Sequence, residues 1–179
     1  MSAATSTAED SKNPTHAGRA DRGFLIDLDA IDLGATHAAQ DQIFELIPHR
    51  YEMALLDRVI WADMESGSAL GVKHVREDEF WVRGHFPGLP MLPGVLMIEA
   101  GAQLACYVFN ARNGENSTAA FLRIENAVFR RSVTVGDDLL LVCKGIKISA
   151  RRFTSAIQGV VNGQLCFEAT IVGMKIADG

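Results

Sequence analysis

The run "GVLMIEAGAQLACYVFNAR" at 94–112 constrains the fold of this chain more than any other part of it. Read as a helix, it is apolar on most of its circumference, and Glu99 and Gln103 interrupt that character. Such a helix cannot rest on a surface and must be covered on several sides. Pro93 suits a helix start, where its missing N–H is not needed, and Asn113-Gly114 supplies the stop. At 1.5 Å per residue the predicted helix is roughly 28 Å long.

The cover has to come from β-rich runs. "MALLDRVIWADM" and "ALGVKHV", separated by the turn "ESGS", predict a hairpin before the helix. After it come "AAFLRI", "AVFRRSV", "DDLLLVCKGIKIS", "RRFTSAIQGVV" and "QLCFEATIVGMKI", separated by turns, with Asn162-Gly163 as a hairpin signal between the last two. Three of these strands run to about ten residues, long against a usual five or six. Long antiparallel strands around one buried helix imply an α+β architecture, a long central helix wrapped by a curved antiparallel β-sheet. Upstream, "THAAQDQIFELI" (36–47) has helical spacing ended by Pro48, and "FLIDLDAIDLG" reads equally as an edge strand or a short helical turn. The opening "MSAATSTAEDSKNPTHAGRADRG" is small, polar and mixed in charge, so residues 1–23 are expected to form a flexible polar tail and 24–179 a single domain.

Composition excludes several classes. A hydrophobic share of 48% suits one sizeable core rather than a disordered chain. A net charge of −5 argues against nucleic acid as the main partner, since backbone binding needs clustered positive charge. Cys106, Cys143 and Cys166 are odd in number, far apart and set in apolar segments, which predicts reduced core thiols and a cytoplasmic protein. No stretch of eighteen apolar residues occurs, so no membrane span is expected.

The chemistry concentrates in "GHFPGLPMLPGVLMIEAGAQ" at 84–103. Glu99 on a buried helix face is costly unless paired, protonated or hydrogen-bonded, and Gln103, one turn on, can bond it. Desolvation should raise its pKa, the condition a general acid needs near neutral pH. Alone, Glu99 reads first as an acid that reaches a rim or meets a basic residue and merely packs, and His85 as a structural histidine, the class assigned to His16, His37, His49 and His74. The surrounding prolines and glycines change the balance. They stiffen a loop that leads His85 directly into a helix start, and a rigid loop is what positions an imidazole. The start at Gly94 offers free N–H groups and a positive dipole end to a carbonyl gaining negative charge, and a glycine there admits a thioester closely. A base, an acid and an oxyanion donor in one stretch describe proton abstraction beside a carbonyl with a hydroxyl leaving.

This stretch closely resembles the signature of the FabZ-type (3R)-hydroxyacyl-(acyl carrier protein) dehydratases, a hotdog-fold family. "IFELIPHRYEMALLDRV" (43–59) resembles that family's opening and "FLRIENAVFRRSVTVGDDLLL" (121–141) its later strands, so the resemblance runs from about residue 40 to the end. It implies the hotdog fold, with His85 as catalytic histidine, Glu99 as catalytic acid and the Gly94 N–H holding the thioester carbonyl. FabA-type enzymes, which also isomerise, carry aspartate where this chain has Glu99, so the resemblance favours the plain dehydratase. It further implies an acyl carrier protein partner and a substrate borne on a phosphopantetheine arm in a narrow apolar tunnel. No metal or organic cofactor is implied. Nor is the chain expected to act alone: the resemblance implies a homodimer with sites shared between subunits, or a trimer of dimers. A hotdog thioesterase and a non-catalytic carrier-binding subunit are the alternatives.

Glu52, the block Phe80, Trp81, Val82 and Arg83, Arg123 and Ser132 depart from the common family pattern, which bears on tunnel width and acyl length. Arg130, Arg131, Lys144, Lys147, Arg151 and Arg152 make the C-terminal half locally basic, either as a solvated surface or as a docking patch for an acidic carrier.

Overall fold

Six strands form one continuous antiparallel sheet in the computed structural model, which describes residues 23–178. In chain order they are β1 (Arg58–Asp63), β2 (Ser68–His74), β3 (Ser117–Phe129), β4 (Asp138–Ile148), β5 (Arg152–Val161) and β6 (Gln164–Asp178). Their spatial order is β1-β2-β4-β5-β6-β3, so β1 and β3 are the edges. Two α-helices, α1 (Gln40–Leu46) and α2 (Gly94–Asn113), complete the fold.

The apolar run becomes α2, and Gly114 ends it in the left-handed region at φ 66°, donating its N–H to the Ala111 and Asn110 carbonyls. From Met97 to Asn110 all but Glu99 are buried, and the helix packs against the inner faces of β2, β4, β5 and β6. By length and composition α2 is apolar enough to cross a membrane, but most of it is already buried by the sheet.

Strand alternation sorts the core into two layers. On β4, Leu139, Leu141 and Cys143 face α2, whereas Leu140 and Val142 join Ile60, Leu70 and Val72 on the outer face. That outer face is covered as well. Leu25, Ile26, Leu28 and Ile31 lie across it, which accounts for the nearly continuous burial of β2. "FLIDLDAIDLG" is therefore a strap rather than an edge strand, with a 3-10 turn at Leu28–Ala30. Gln158 ties it down: its Oε1 accepts from Leu25 N at 2.9 Å, and its Nε2 donates to Gly23 O at 3.0 Å. The tail expected over 1–23 lies, except for Gly23, outside the described residues.

Several boundaries shift for local reasons. The first helix begins at Gln40, because Ala38 is drawn into a bridge with Val59. β1 starts only at Arg58, since Tyr51–Met53 turns as a 3-10 helix. "AAFLRI" and "AVF" are not separate strands but one, β3, and Asn126 at φ 53° absorbs a register shift against β6. Asn162 and Gly163, at φ 50° and 70°, make the tight β5–β6 turn that the dipeptide predicts.

Gly159 of β5 marks a close approach. A Cβ there would enter the ring of Phe167 on β6, with Leu139 also within contact distance. Gly159→Ala therefore overpacks the core, and we expect a loss of about 1–3 kcal/mol, read as a lower midpoint in thermal unfolding. An unchanged midpoint would show that the Phe167 ring moves aside freely.

Candidate active site

His85 is held by a loop closed on itself. Met91 N donates to His85 O at 2.8 Å, while Phe86 and Leu89 exchange two backbone bonds of 2.9 Å. Leu92 N then donates to Val133 O at 2.8 Å, fastening the loop to the β3–β4 connection. The His85 ring stacks on Phe86 with centroids 4.1 Å apart, and its Nδ1 lies 2.7 Å from Met91 O. A carbonyl only accepts, so Nδ1 carries a hydrogen, and in the neutral ring the lone pair is left on Nε2. That is the tautomer a base requires.

A buried ion pair sets the approach to this loop. Lys73, 1% exposed at the end of β2, places Nζ 2.9 Å from the Glu79 carboxylate. Glu79 also accepts from Arg76 N and from the Trp81 indole N–H, both at 2.9 Å. Trp81 is buried, and its carbonyl receives Gly84 N at 3.1 Å and His85 N at 2.8 Å. Burial pushes the Glu79 carboxyl up, but these donors outweigh it and hold it below the ordinary value. The departure at Trp81 thus gives Glu79 a donor that phenylalanine lacks.

His85 and Gly94 share a cavity of about 520 Å³, whose walls include Met91, Met97, Phe129 and Arg131. At the start of α2, Leu96 N and Met97 N both donate to Pro93 O. Among the described residues this leaves the Gly94 and Val95 N–H groups unpartnered at the cavity wall. The space beside the Gly94 Cα is not empty, however. A Cβ there would lie 2.7–3.0 Å from three carbons of the Phe129 ring, so the glycine is needed for that packing too. Ser132, one of the departures, also lines the cavity.

Glu99 does not line it. Its carboxylate accepts from Gln103 Nε2 at 2.9 Å, the bond expected from their spacing. Gln103 is fully engaged, donating to Met53 O at 2.8 Å and accepting from Leu55 N at 3.0 Å. The partner that sequence reading missed is His49, whose Nε2 is 3.4 Å from Glu99 Oε1. Only the pairing of distant segments could reveal it, because the two residues are fifty positions apart. The expected upward shift of Glu99 is corrected as well. Burial pushes the carboxyl up, but His49 and Gln103 pull it down further, and it sits below the ordinary carboxylate value.

The cysteines stand as the sequence predicts. The three cysteines are free and buried, and burial pushes Cys106 and Cys143 up to about 12, far from a reactive thiolate. Among the described residues no cluster of three or more histidine, cysteine or acidic side chains is arranged to hold a metal. The six basic residues do not form one patch. Arg130 N and Arg131 N meet Cys166 O, whereas Arg151 O meets Lys175 N nine residues along β6. At a rise near 3.3 Å per residue those ends lie about 30 Å apart. Arg130 pairs with Glu168, while Arg131 makes no ion pair among the described residues.

Comparison with known proteins supplies the family and the fold. The FabA-like domain family matches residues 47–172. The 3-hydroxyacyl-(acyl-carrier-protein) dehydratase FabZ of Clostridium acetobutylicum is 40% identical over 138 residues, covering 76% of this chain and 96% of that protein. Its counterpart from Protochlamydia amoebophila is 37% identical over 131 residues, covering 73% and 85%. Among solved structures, the dehydratase heterocomplex ApeI:P of Xenorhabdus doucetiae superposes with a TM-score of 0.67 at 16% identity, covering 78% of this chain and 92% of that one. A phenylacetic acid degradation-related protein of Ralstonia eutropha gives 0.54 at 15% identity, covering 65% and 82%, so the fold alone does not separate chemistries. The sheet wrapped on α2 is the hotdog fold, and the chain belongs to the FabA-like family as a FabZ-type dehydratase.

Proposed function

We propose that this chain dehydrates (3R)-3-hydroxyacyl thioesters borne on an acyl carrier protein, giving trans-2-enoyl thioesters for fatty acid or related lipid synthesis in the cytoplasm. The observation that carries the reading is the shared cavity, where the lone pair of His85 Nε2 and the Gly94 N–H face one space. His85 Nε2 removes the C2 proton, and the Gly94 N–H stabilises the thioester oxygen as it gains charge. An acid must then protonate the departing C3 hydroxyl. No metal or organic cofactor enters these steps beyond the arm that carries the acyl chain.

That acid is the Glu99 carboxyl, supplied by a second copy of the chain. One protomer holds His85 and Gly94 in its cavity and keeps Glu99 outside the cavity wall. The edge strand β3 supports the pairing. It is thirteen residues long, and Phe121, Leu122, Ile124, Val128 and Phe129 on it are all 40–48% exposed. A long apolar edge with unpaired backbone groups is a template for another strand. A two-fold dimer through it makes two equivalent sites, each with His85 of one chain and the partner subunit's Glu99. Light scattering should show a dimer or a trimer of dimers; a monomer with full activity would remove the shared site.

The carrier's phosphate and acidic surface would meet Arg131 at the cavity wall rather than the distant Arg151 and Arg152. The reaction class is tested with a crotonyl-carrier substrate. Loss of the enoyl absorbance without free thiol means hydration, the reverse of the proposed step. Thiol release would instead identify a thioesterase.

A further inference from the structure

Glu99 has to give up a proton, yet its surroundings favour the carboxylate. The side chain that reconciles the two is His49, which arrives on the segment between α1 and the Tyr51–Met53 turn. That segment is fastened from two directions. The Arg50 guanidinium folds back onto the Phe44, Ile47 and His49 carbonyls, each at 2.7 Å. Asn110 of α2 donates to Leu46 O at 2.6 Å, drawing the end of α1 against the helix that carries Glu99. The His49 ring thereby reaches Glu99 Oε1 with Nε2 at 3.4 Å, while its Nδ1 is buried without a hydrogen-bond partner. The titratable groups that meet the carboxylate are His49 from this segment and Cys106 from α2 itself. Gln103 adds a neutral donor, and Arg50 is turned onto carbonyls.

We propose that His49 is a positioning residue for Glu99, and that the two side chains together hold the proton given to the departing hydroxyl. This rests on the dehydratase reading above. In the acting form of the pair, one transferable proton lies on His49 Nε2, facing the Glu99 carboxylate. As the C3–O bond breaks, His49 Nε2 passes its proton to Glu99, and the Glu99 O–H delivers one to the leaving oxygen, which departs as water. His49 is left neutral and Glu99 ionised. His49 then takes a proton from solvent while His85 releases the C2 proton to it, so each turnover yields one enoyl thioester and one water. On this proposal the alkaline limb of kcat reports loss of the proton held between the two side chains.

The test uses His49→Gln, which keeps a hydrogen-bond donor near the carboxylate but holds no transferable proton. Glu99 must then be protonated by itself to act. We expect the alkaline limb of kcat to move acidward by about one pH unit or more and neutral-pH kcat to fall about tenfold or more. KM should stay within about twofold, because substrate contacts are intact. In parallel, the 13C carboxyl resonance of Glu99, assigned by its loss in Glu99→Gln, should titrate at higher pH in His49→Gln than in the wild type. An alkaline limb in the wild-type position, or an unmoved Glu99 midpoint, overturns the proposal. A wild-type protein that leaves the enoyl band untouched overturns the dehydratase reading instead, and the carboxyl titration still decides what His49 does to Glu99.

Discussion

His85→Ala lowers kcat by about 10³-fold or more, the scale a positioned general base supplies. The expectation follows from the Met91 carbonyl, which fixes the hydrogen on Nδ1 and leaves Nε2 free within the cavity. Alanine removes the base while the loop's own backbone bonds, from Met91 N to His85 O and between Phe86 and Leu89, stay in place. The variant should therefore fold, with a native circular dichroism spectrum and only a small change in KM. Glu99→Gln should fall by a similar factor, because an amide preserves bonding to the surroundings but delivers no proton. Either variant turning over at near-normal rate with a native spectrum would refute the role assigned to that residue.

The largest effect on stability is expected at Glu79→Ala. Lys73 is 1% exposed and its ammonium lies 2.9 Å from the Glu79 carboxylate, so alanine leaves a buried charge uncompensated. Breaking such a pair from one side costs about 3–5 kcal/mol, which for a chain of this size lowers the unfolding midpoint by about 10 °C. Lys73→Met in the same background should recover much of the loss, because the stranded charge is then gone. The pair also gives a defined acid dependence. Glu79 is held below its unfolded value of about 4.5, so its contribution is complete above that pH and is lost as pH falls through the lower folded value. Wild-type stability should decline on that acid side, and Glu79→Gln should lack this component. Equal acid sensitivity in both proteins would show that Glu79 does not carry it. Trp81 donates its indole N–H to the same carboxylate and its carbonyl accepts from His85 N, so Glu79→Ala should also lower activity before it unfolds the protein.

The proposed dimer links these two predictions to the assembly. Both concern the loop that carries His85, whereas Glu99 lies with His49 and Gln103 outside that cavity. Mixing His85→Ala with Glu99→Gln chains should therefore restore activity in hybrid dimers that hold one intact shared site.

By itself the sequence determined the central helix, most of the strands and the chemistry-bearing stretch. The period of the apolar residues, the proline before Gly94 and the glycine after Asn113 specify α2, because each acts through local backbone geometry. Asn162-Gly163 specifies its turn for the same reason. His85, Gly94, Glu99 and Gln103 could be nominated from the sequence because they fall in one continuous stretch. What only the tertiary structure decided depends on segments far apart in the chain. The strap over β2 was unreadable because its apolar residues gain meaning only from the outer face they cover. The Phe129 ring against Gly94 and the separation of the basic residues along β6 depend on strand register, which composition does not encode. The downward shift of Glu99 depends on His49, since a carboxyl's ionisation is set by the groups within a few ångströms of it, whatever their distance along the chain.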